Sequence, residues 1–318
     1  MARFDGCKNS GLMALFYICN THQLMMESIK NNNTLLMFKQ SLKKSVLTAS
    51  VFLCSVAAFA QKSPLNILPS GHLIVQAEVE GKKGNFIFDT GGRINLFLNK
   101  FSKDLSQQET YNFLTAFRAT GEQMTVPLFK SKEIVFNGKT FKDTWYATHN
   151  MEIKGIDGLI SLPMLYDTEF IIDYTAKEII FPKEKLNSKK VVDIQLSTNA
   201  DQSLDITTYI NVNDRKINVL LDSGAGNDSF WLSERLMGTL GIKKEGLHII
   251  EKKSEFNPAI TNTFYKGSVN TVSNSFAKVD NPSVFFVEGL IYEGKTSINW
   301  LGKKLGFNLK EKKIYILD

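Results

Sequence analysis

Beyond residue 60, apolar residues fall into short runs that alternate with polar ones. Residues 73–79, 84–88, 133–136, 170–173 and 179–181 are such runs, rich in Val, Ile, Phe and Thr. A period of two marks half-buried strands. Turn chemistry separates the runs, as in residues 80–84 (EGKKG) and at Asn137-Gly138; Asn-Gly between apolar runs is a strong hairpin signal. Helical periodicity is scarce. The best stretch is 233–241, with Ser233 as N-cap, Glu234 in the first turn and Gly241 beyond the end. Its earlier counterpart is 99–106. The pattern predicts an all-β fold with a few short helices.

Two runs end the same way. NFIFDTGG leads through apolar residues into Asp89-Thr90-Gly91-Gly92, and VLLDSGA leads into Asp222-Ser223-Gly224-Ala225, with the aspartates 133 positions apart. Alone, an acidic residue followed by small ones is ordinary turn chemistry. The neighbours also match, however. Residues 72–79 correspond to 204–212, 96–99 to 230–233, and Val212-Asn213-Asp214-Arg215 stands where 80–83 stands. The stretch from Phe170 through Lys177 to Phe181 matches that from Leu305 through Lys312 to Ile316, with Asp173 and Asn308 offset by 135. Matching neighbours at nearly one offset identify an internal repeat carrying one Asp motif per copy. The expected organisation is a first lobe over 61–182, a polar linker without matching strands over 183–201, and a second lobe over 202–318.

The first sixty residues stand apart. From Met37, MFKQSLKKSVLTASVFLCSVAAFAQ has a basic start, a short apolar core and Ala58-Phe59-Ala60 before Gln61. These are the three parts of a secretory signal peptide, and its core is too short for the roughly 20 residues that span a bilayer. Residues 37–60 are therefore expected to be removed on export to the periplasm or outside the cell, without stable membrane insertion. Residues 1–36 have no repeat partner and read as a start assigned too early, or as a poorly structured extension. All three cysteines fall before residue 61, so the mature chain has no thiolate chemistry. Six of the 38 Lys/Arg and two of the 32 Asp/Glu also fall there, leaving 32 against 30, a net charge of +2. No dense basic stripe points to nucleic acid. His72, His149 and His248 are scattered and no His-Glu-x-x-His motif occurs, so neither metal nor cofactor is expected.

Asp-Thr-Gly and Asp-Ser-Gly after apolar strands resemble the aspartic peptidases, the pepsins and retropepsins. Gly155-Ile156-Asp157-Gly158-Leu159-Ile160-Ser161-Leu162 resembles that family's segment crossing behind the aspartate loop, with Ser161 where the family usually has Gly. In the second copy either 287–291 or 292–295 could fill this place. The likeness covers nearly all of 70–318. It implies two duplicated acid-protease β-barrel lobes about a pseudo-two-fold axis, with a cleft between them. It further implies that Thr90 and Ser223 lock the opposing loops, and that a hairpin flap covers the substrate. Residues 118–126 (RATGEQMTV), with Thr120, Gly121 and Glu122 at the tip, are the candidate flap; 252–263 is the second copy's candidate.

The chemistry has its own rationale. Hydrolysing an amide with water needs a base for the water and an acid for the carbonyl oxygen and leaving nitrogen. Two carboxylates a few ångströms apart do not both ionise cheaply, so one proton is shared and both roles exist at one pH. Gly91 and Gly224 permit the tight turns that expose the aspartates. The expectation is an exported, monomeric aspartic endopeptidase with catalytic Asp89 and Asp222, acting on peptide or protein substrates. The alternative is a catalytically silent peptide- or protein-binding module on the same fold. Gly92 and Ala225 lack the hydroxyl that acid-acting pepsins resemble one another in placing there. Without that donor the pair is expected to hold its proton to higher pH and to work in the weakly acidic to near-neutral range.

Overall fold

The computed structural model describes residues 60–110, 113–199 and 202–318; the expected leader core and the extension before it lie outside the described residues. Strands dominate. Described helix is confined to short pieces, such as the α-helix Asn99–Ser102 and the 3-10 turns Leu162–Leu165 and Asn299–Leu301. The fold is all-β.

Turn chemistry sets the strand register. Glu80 and Gly81 (φ 50° and 83°), Asn137 and Gly138 (49° and 72°), and Asn213 and Asp214 (47° and 61°) are left-handed pairs. They close two-residue hairpins at Val79–Lys82, Phe136–Lys139 and Val212–Arg215. Such turns match the twist of the flanking strands.

In the first lobe, Leu73–Val79 pairs with Lys82–Asp89. That strand runs parallel to Gly158–Ser161, which sits between it and Asn95–Leu98. Lys139–His149 and Leu128–Phe136 follow, and the latter returns to Leu73–Val79. Six strands thus close into a barrel. Phe86, Phe88, Phe97, Phe136 and Tyr146 fill it, all fully buried; burial of each such side chain stabilises by about 1.5–3 kcal/mol.

The second lobe repeats the circuit in Leu204–Val212, Arg215–Leu221, Gly294–Thr296, Phe230–Ser233, Ser283–Val287 and Thr261–Ser268. Here the long strands are broken. Thr271–Ser273, not Thr261–Ser268, makes the return pairing to Leu204–Val212, and Lys278–Asp280 is separated from Ser283–Val287. Pro282 stands at the break, where a residue without an N–H interrupts a ladder.

A six-stranded sheet joins the lobes in the order Gln61–Pro64, Glu178–Phe181, Phe170–Asp173, Lys304–Asn308, Lys313–Ile316, Val191–Asp193. Its centre pairs the two repeats directly, Phe170 opposite Phe307, with rings stacked at 4.7 Å. Each strand on one side has its counterpart on the other, which defines the pseudo-two-fold relation.

Two expectations need correction. The 183–201 linker is not strandless. Val191–Asp193 and Gln195–Thr198 pair within the second repeat as Gln61–Pro64 and Asn66–Ile67 pair within the first, so the second repeat begins before residue 202. Their polar faces are edges exposed to water, which hides them from a hydrophobic pattern. The 233–241 helix is also absent. Only Glu234–Leu236 forms a 3-10 turn, and Ser233 makes no side-chain cap; Gly238 inside the stretch weakens any helix there. Its counterpart is the single turn Asn99–Ser102.

Candidate active site

Strand Lys82–Asp89 buries Gly84, Phe86 and Phe88 and turns Asn85, Ile87 and Asp89 the other way. A strand whose inward face is filled by phenylalanines delivers its last outward residue, Asp89, to the space between the lobes. Asp222 follows Arg215–Leu221 and opens the 3-10 turn Ser223–Ala225.

The two loops are bolted together reciprocally. Thr90 Oγ1 accepts from Ser223 N (2.9 Å) and donates to Leu221 O (2.8 Å). Ser223 Oγ accepts from Thr90 N (3.0 Å) and donates to Phe88 O (2.7 Å). Both hydroxyls are buried, so all four bonds must be kept to avoid orphaned polar groups. The glycines permit the approach. A Cβ on Gly91 would stand 2.5 Å from Asp222 Cγ, and one on Gly224 would stand 2.7 Å from Asp89 Cγ. Each loop therefore packs on the other's carboxyl, and the carboxyls lie within hydrogen-bonding reach.

The crossing segment of the second lobe is settled as Gly294–Thr296, parallel to Arg215–Leu221 and antiparallel to Phe230–Ser233, so 292–295, not 287–291, leads into it. Supporting contacts repeat too. Asp157 accepts from Asn85 N at 2.9 Å, and Glu293 from Asn218 N at 2.7 Å.

Within this symmetry sits one charged difference. Lys295 Nζ lies 2.7 Å from Asp222 Oδ2 and 4.3 Å from the Trp231 ring centroid. Leu159 holds the matching position in the first lobe, paired with Ile87 and Leu96 as Lys295 is with Leu220 and Trp231. Ala225 indeed brings no hydroxyl to Asp222, but Lys295 brings a donor from another element, so the expectation of two donor-poor carboxyls holds for Asp89 alone. The electrostatics follow. Burial, the Asp222 charge and the hydrogen bond to Asp222 push the Asp89 carboxyl well above its ordinary range, against weaker opposition from Lys295 and Gly91 N. Burial pushes Asp222 up as well, but the charge and hydrogen bond of Lys295, together with hydrogen bonds from Asp89 and Gly224 N, hold that carboxyl below its ordinary value.

The candidate flap is a hairpin of Leu114–Phe117 and Gln123–Val126. Its tip rests on the second lobe. Ile291 N donates to Ala119 O at 3.0 Å, and the Gly121 backbone (φ 82°) passes so close to Gly289 O that a Cβ would meet it at 2.8 Å. Thr120 faces Gly289 through its carbonyl. Glu122 is not open to substrate; it is 7% exposed, accepts from Ser254 Oγ at 2.6 Å and pairs with Arg118 at 3.4 Å. Arg118 also donates to Ser254 and covers the Phe256 ring. The second candidate is likewise a hairpin, His248–Lys253 with Thr261–Ser268, and its tip supplies Ser254 and Phe256 to this latch. Beneath the first hairpin lies a cavity of about 750 Å³, walled by Ile94, Leu114, Met124, Val126 and Trp231 and reaching Asp222.

The structure thus brings Asp89, Asp222, Thr90, Gly91, Ser223 and Gly224 together and sets Thr120, Gly121 and Glu122 as a roof. Sequence reasoning missed Lys295 and, although Arg118 and Ser254 lie within the two candidate flaps, the contact between them. Lys295 was legible by aligning Gly158 with Gly294, which sets it against Leu159; the latch had no sequence signal. Among the described residues, no group of three or more His, Cys, Asp or Glu could hold a metal ion.

No protein-family model matches this chain, and no curated protein matches it. Among solved structures, a crystal structure described as "edgp" is similar over 80% of this chain and 94% of that one, at 10% identity and a TM-score of 0.44.

Proposed function

We propose that this chain is an aspartic-type endopeptidase, with both lobes in one polypeptide and a single site formed by Asp89 and Asp222. The observation that carries the reading is the crossed pair of loops, in which Gly91 packs on the Asp222 carboxyl and Gly224 on the Asp89 carboxyl, beside a cavity that Asp222 lines. One protonated and one charged carboxyl supply an acid and a base together. The charged carboxyl takes a proton from water as its oxygen attacks the amide carbon, and the protonated one gives its proton to the carbonyl oxygen. Collapse of the resulting diol breaks the C–N bond, with a proton passing to the nitrogen. The substrate lies extended beneath the hairpin, held by main-chain hydrogen bonds, and the apolar cavity wall favours apolar side chains. Such an enzyme acts as a monomer and, with the leader at 37–60, outside the cell membrane.

A second reading rests on the latch. The roof is pinned to the second lobe by Arg118, Glu122 and Ser254, and Asp222 is paired with Lys295, as would suit a module that holds a peptide without cutting it. The two readings part in one experiment. Protein expressed from the full chain is incubated with a diverse peptide library across pH and read by mass, with Asp89→Asn as control. New cleavage products absent from the control support the peptidase. Retention of peptides without cleavage at any pH supports the binding module.

A further inference from the structure

Resting on the peptidase reading, the geometry points to Lys295 as a positioning residue that fixes which carboxyl is the base. It pins negative charge on Asp222 and leaves the shared proton on Asp89. In a symmetric dyad either carboxyl can hold the proton. Here symmetry is broken at one position, because the crossing segment carries Lys295 in the second lobe and Leu159 in the first. The ammonium is held on both sides, by the 2.7 Å contact to Asp222 Oδ2 and by the Trp231 ring. An opposite charge at such a distance lowers a carboxyl pKa by about 1–3 units. No hydroxyl at Ala225 can do this, and Gly92 leaves Asp89 without an equivalent.

The other charged groups facing this site do not compete for the role. Arg93 and Asp205 pair with each other at 3.2 Å, and Arg118, which lines the same cavity, is held by Ser254 Oγ and Glu122. Tyr292 places its hydroxyl 3.5 Å from Asp205 Oδ2, and burial raises its pKa, keeping it neutral. Glu293, two residues before Lys295, turns to Asn218 N. Lys295 is therefore the cation in contact with the dyad among the described residues. The water-activating carboxylate is Asp222, the acid is Asp89, and the dyad with its lysine is neutral overall in the working state.

The test compares Lys295→Met, Lys295→Gln and Lys295→Arg with wild type, all expressed as the full chain. The pH profile of kcat/KM is recorded on one cleaved peptide, and the aspartate carboxyl ¹³C shifts are titrated by NMR. The acid limb and the lower carboxyl titration are expected to move up by about 1–3 pH units in the Met and Gln variants and to stay near wild type in Arg. Gln keeps a polar donor, so it decides the matter if Met does not fold. An acid limb and titration unmoved in the folded neutral variants overturn the proposal. If wild type cleaves nothing, the peptidase reading fails, and the carboxyl titration alone still decides whether Lys295 sets the charge on Asp222.

Discussion

The two lobes share a strand circuit but differ in how they hold it. The first closes around phenylalanines through unbroken strands of nine and eleven residues, Leu128–Phe136 and Lys139–His149. The second follows the same order through strands interrupted near Pro282, and its ladder stays open between Thr261–Ser268 and Leu204–Val212. At the site, however, the backbone symmetry is tight, with the Thr90 and Ser223 bonds mirroring each other. The asymmetry lies in side chains, Lys295 against Leu159. The matching strand positions put an apolar side chain beside one carboxyl and an ammonium beside the other.

The comparison breaks most sharply in stability. Asp222→Asn leaves Lys295 beside a neutral group in a buried site, and breaking a buried ion pair costs about 3 kcal/mol or more. Asp89→Asn instead relieves a carboxyl that burial and a neighbouring charge already disfavour, so stability is expected to hold or rise. Urea denaturation at neutral pH measures both; equal losses would show that the lysine pairing carries no weight. Only the first lobe's aspartate, then, is expected to gain from neutralisation.

Where the lobes are symmetric, the effects should be equal. Thr90→Ala and Ser223→Ala each orphan a buried N–H and a buried carbonyl, at about 1–3 kcal/mol per group. The same denaturation experiment should give matching losses. A loss confined to one variant would mean that one loop, not both, carries the joint.

Stability should also change with pH in opposite senses for the two carboxyls. Asp89 has a raised folded pKa, so its contribution is present below its unfolded value of about 4 and is lost as pH rises through the folded value. Asp222 has a lowered folded pKa, so its contribution is present above that unfolded value and is lost as pH falls through the folded one. Denaturation midpoints across pH should show Asp89→Asn removing the decline on the upper side and Asp222→Asn removing the decline on the acid side. For activity, the same directions predict an acid limb below the ordinary carboxylate value, set by Asp222, and an upper limb well above it, set by Asp89.

The smallest effect concerns the roof. Ser254→Ala removes the hydroxyl shared by Arg118 and Glu122. Amide exchange in residues 113–126 is expected to quicken several-fold while the barrel strands keep their protection. Unchanged exchange would show that the Ile291–Ala119 contact alone holds the hairpin.

Much of this was legible in the chain. Alternation marked the strands, and the left-handed turn pairs at 80–81, 137–138 and 213–214 set their register. The repeat offset placed Asp89 and Asp222 at matching strand ends, and the hydroxyl residues after them fell where the loops cross. The short edge strands at 191–193 and 195–198 were hidden because edges are half wet and carry little apolar signal. The 233–241 stretch read as a helix because its cap and stop residues were present while Gly238 inside it was discounted. Lys295 could be found by aligning Gly158 with Gly294, but the Arg118–Ser254–Glu122 latch joins residues distant in sequence, and such contacts become visible only once strands are paired.

The most direct test of the central claim is peptide cleavage by four proteins in one assay at the wild-type optimum: wild type, Asp89→Asn, Asp222→Asn and the double variant. Groups that act as one unit do not lose activity additively. The account predicts that each single variant falls by about 10²–10⁴-fold or more and that the double variant falls no further. A single variant that keeps wild-type turnover, or two losses that multiply in the double, would contradict a shared-proton dyad of Asp89 and Asp222.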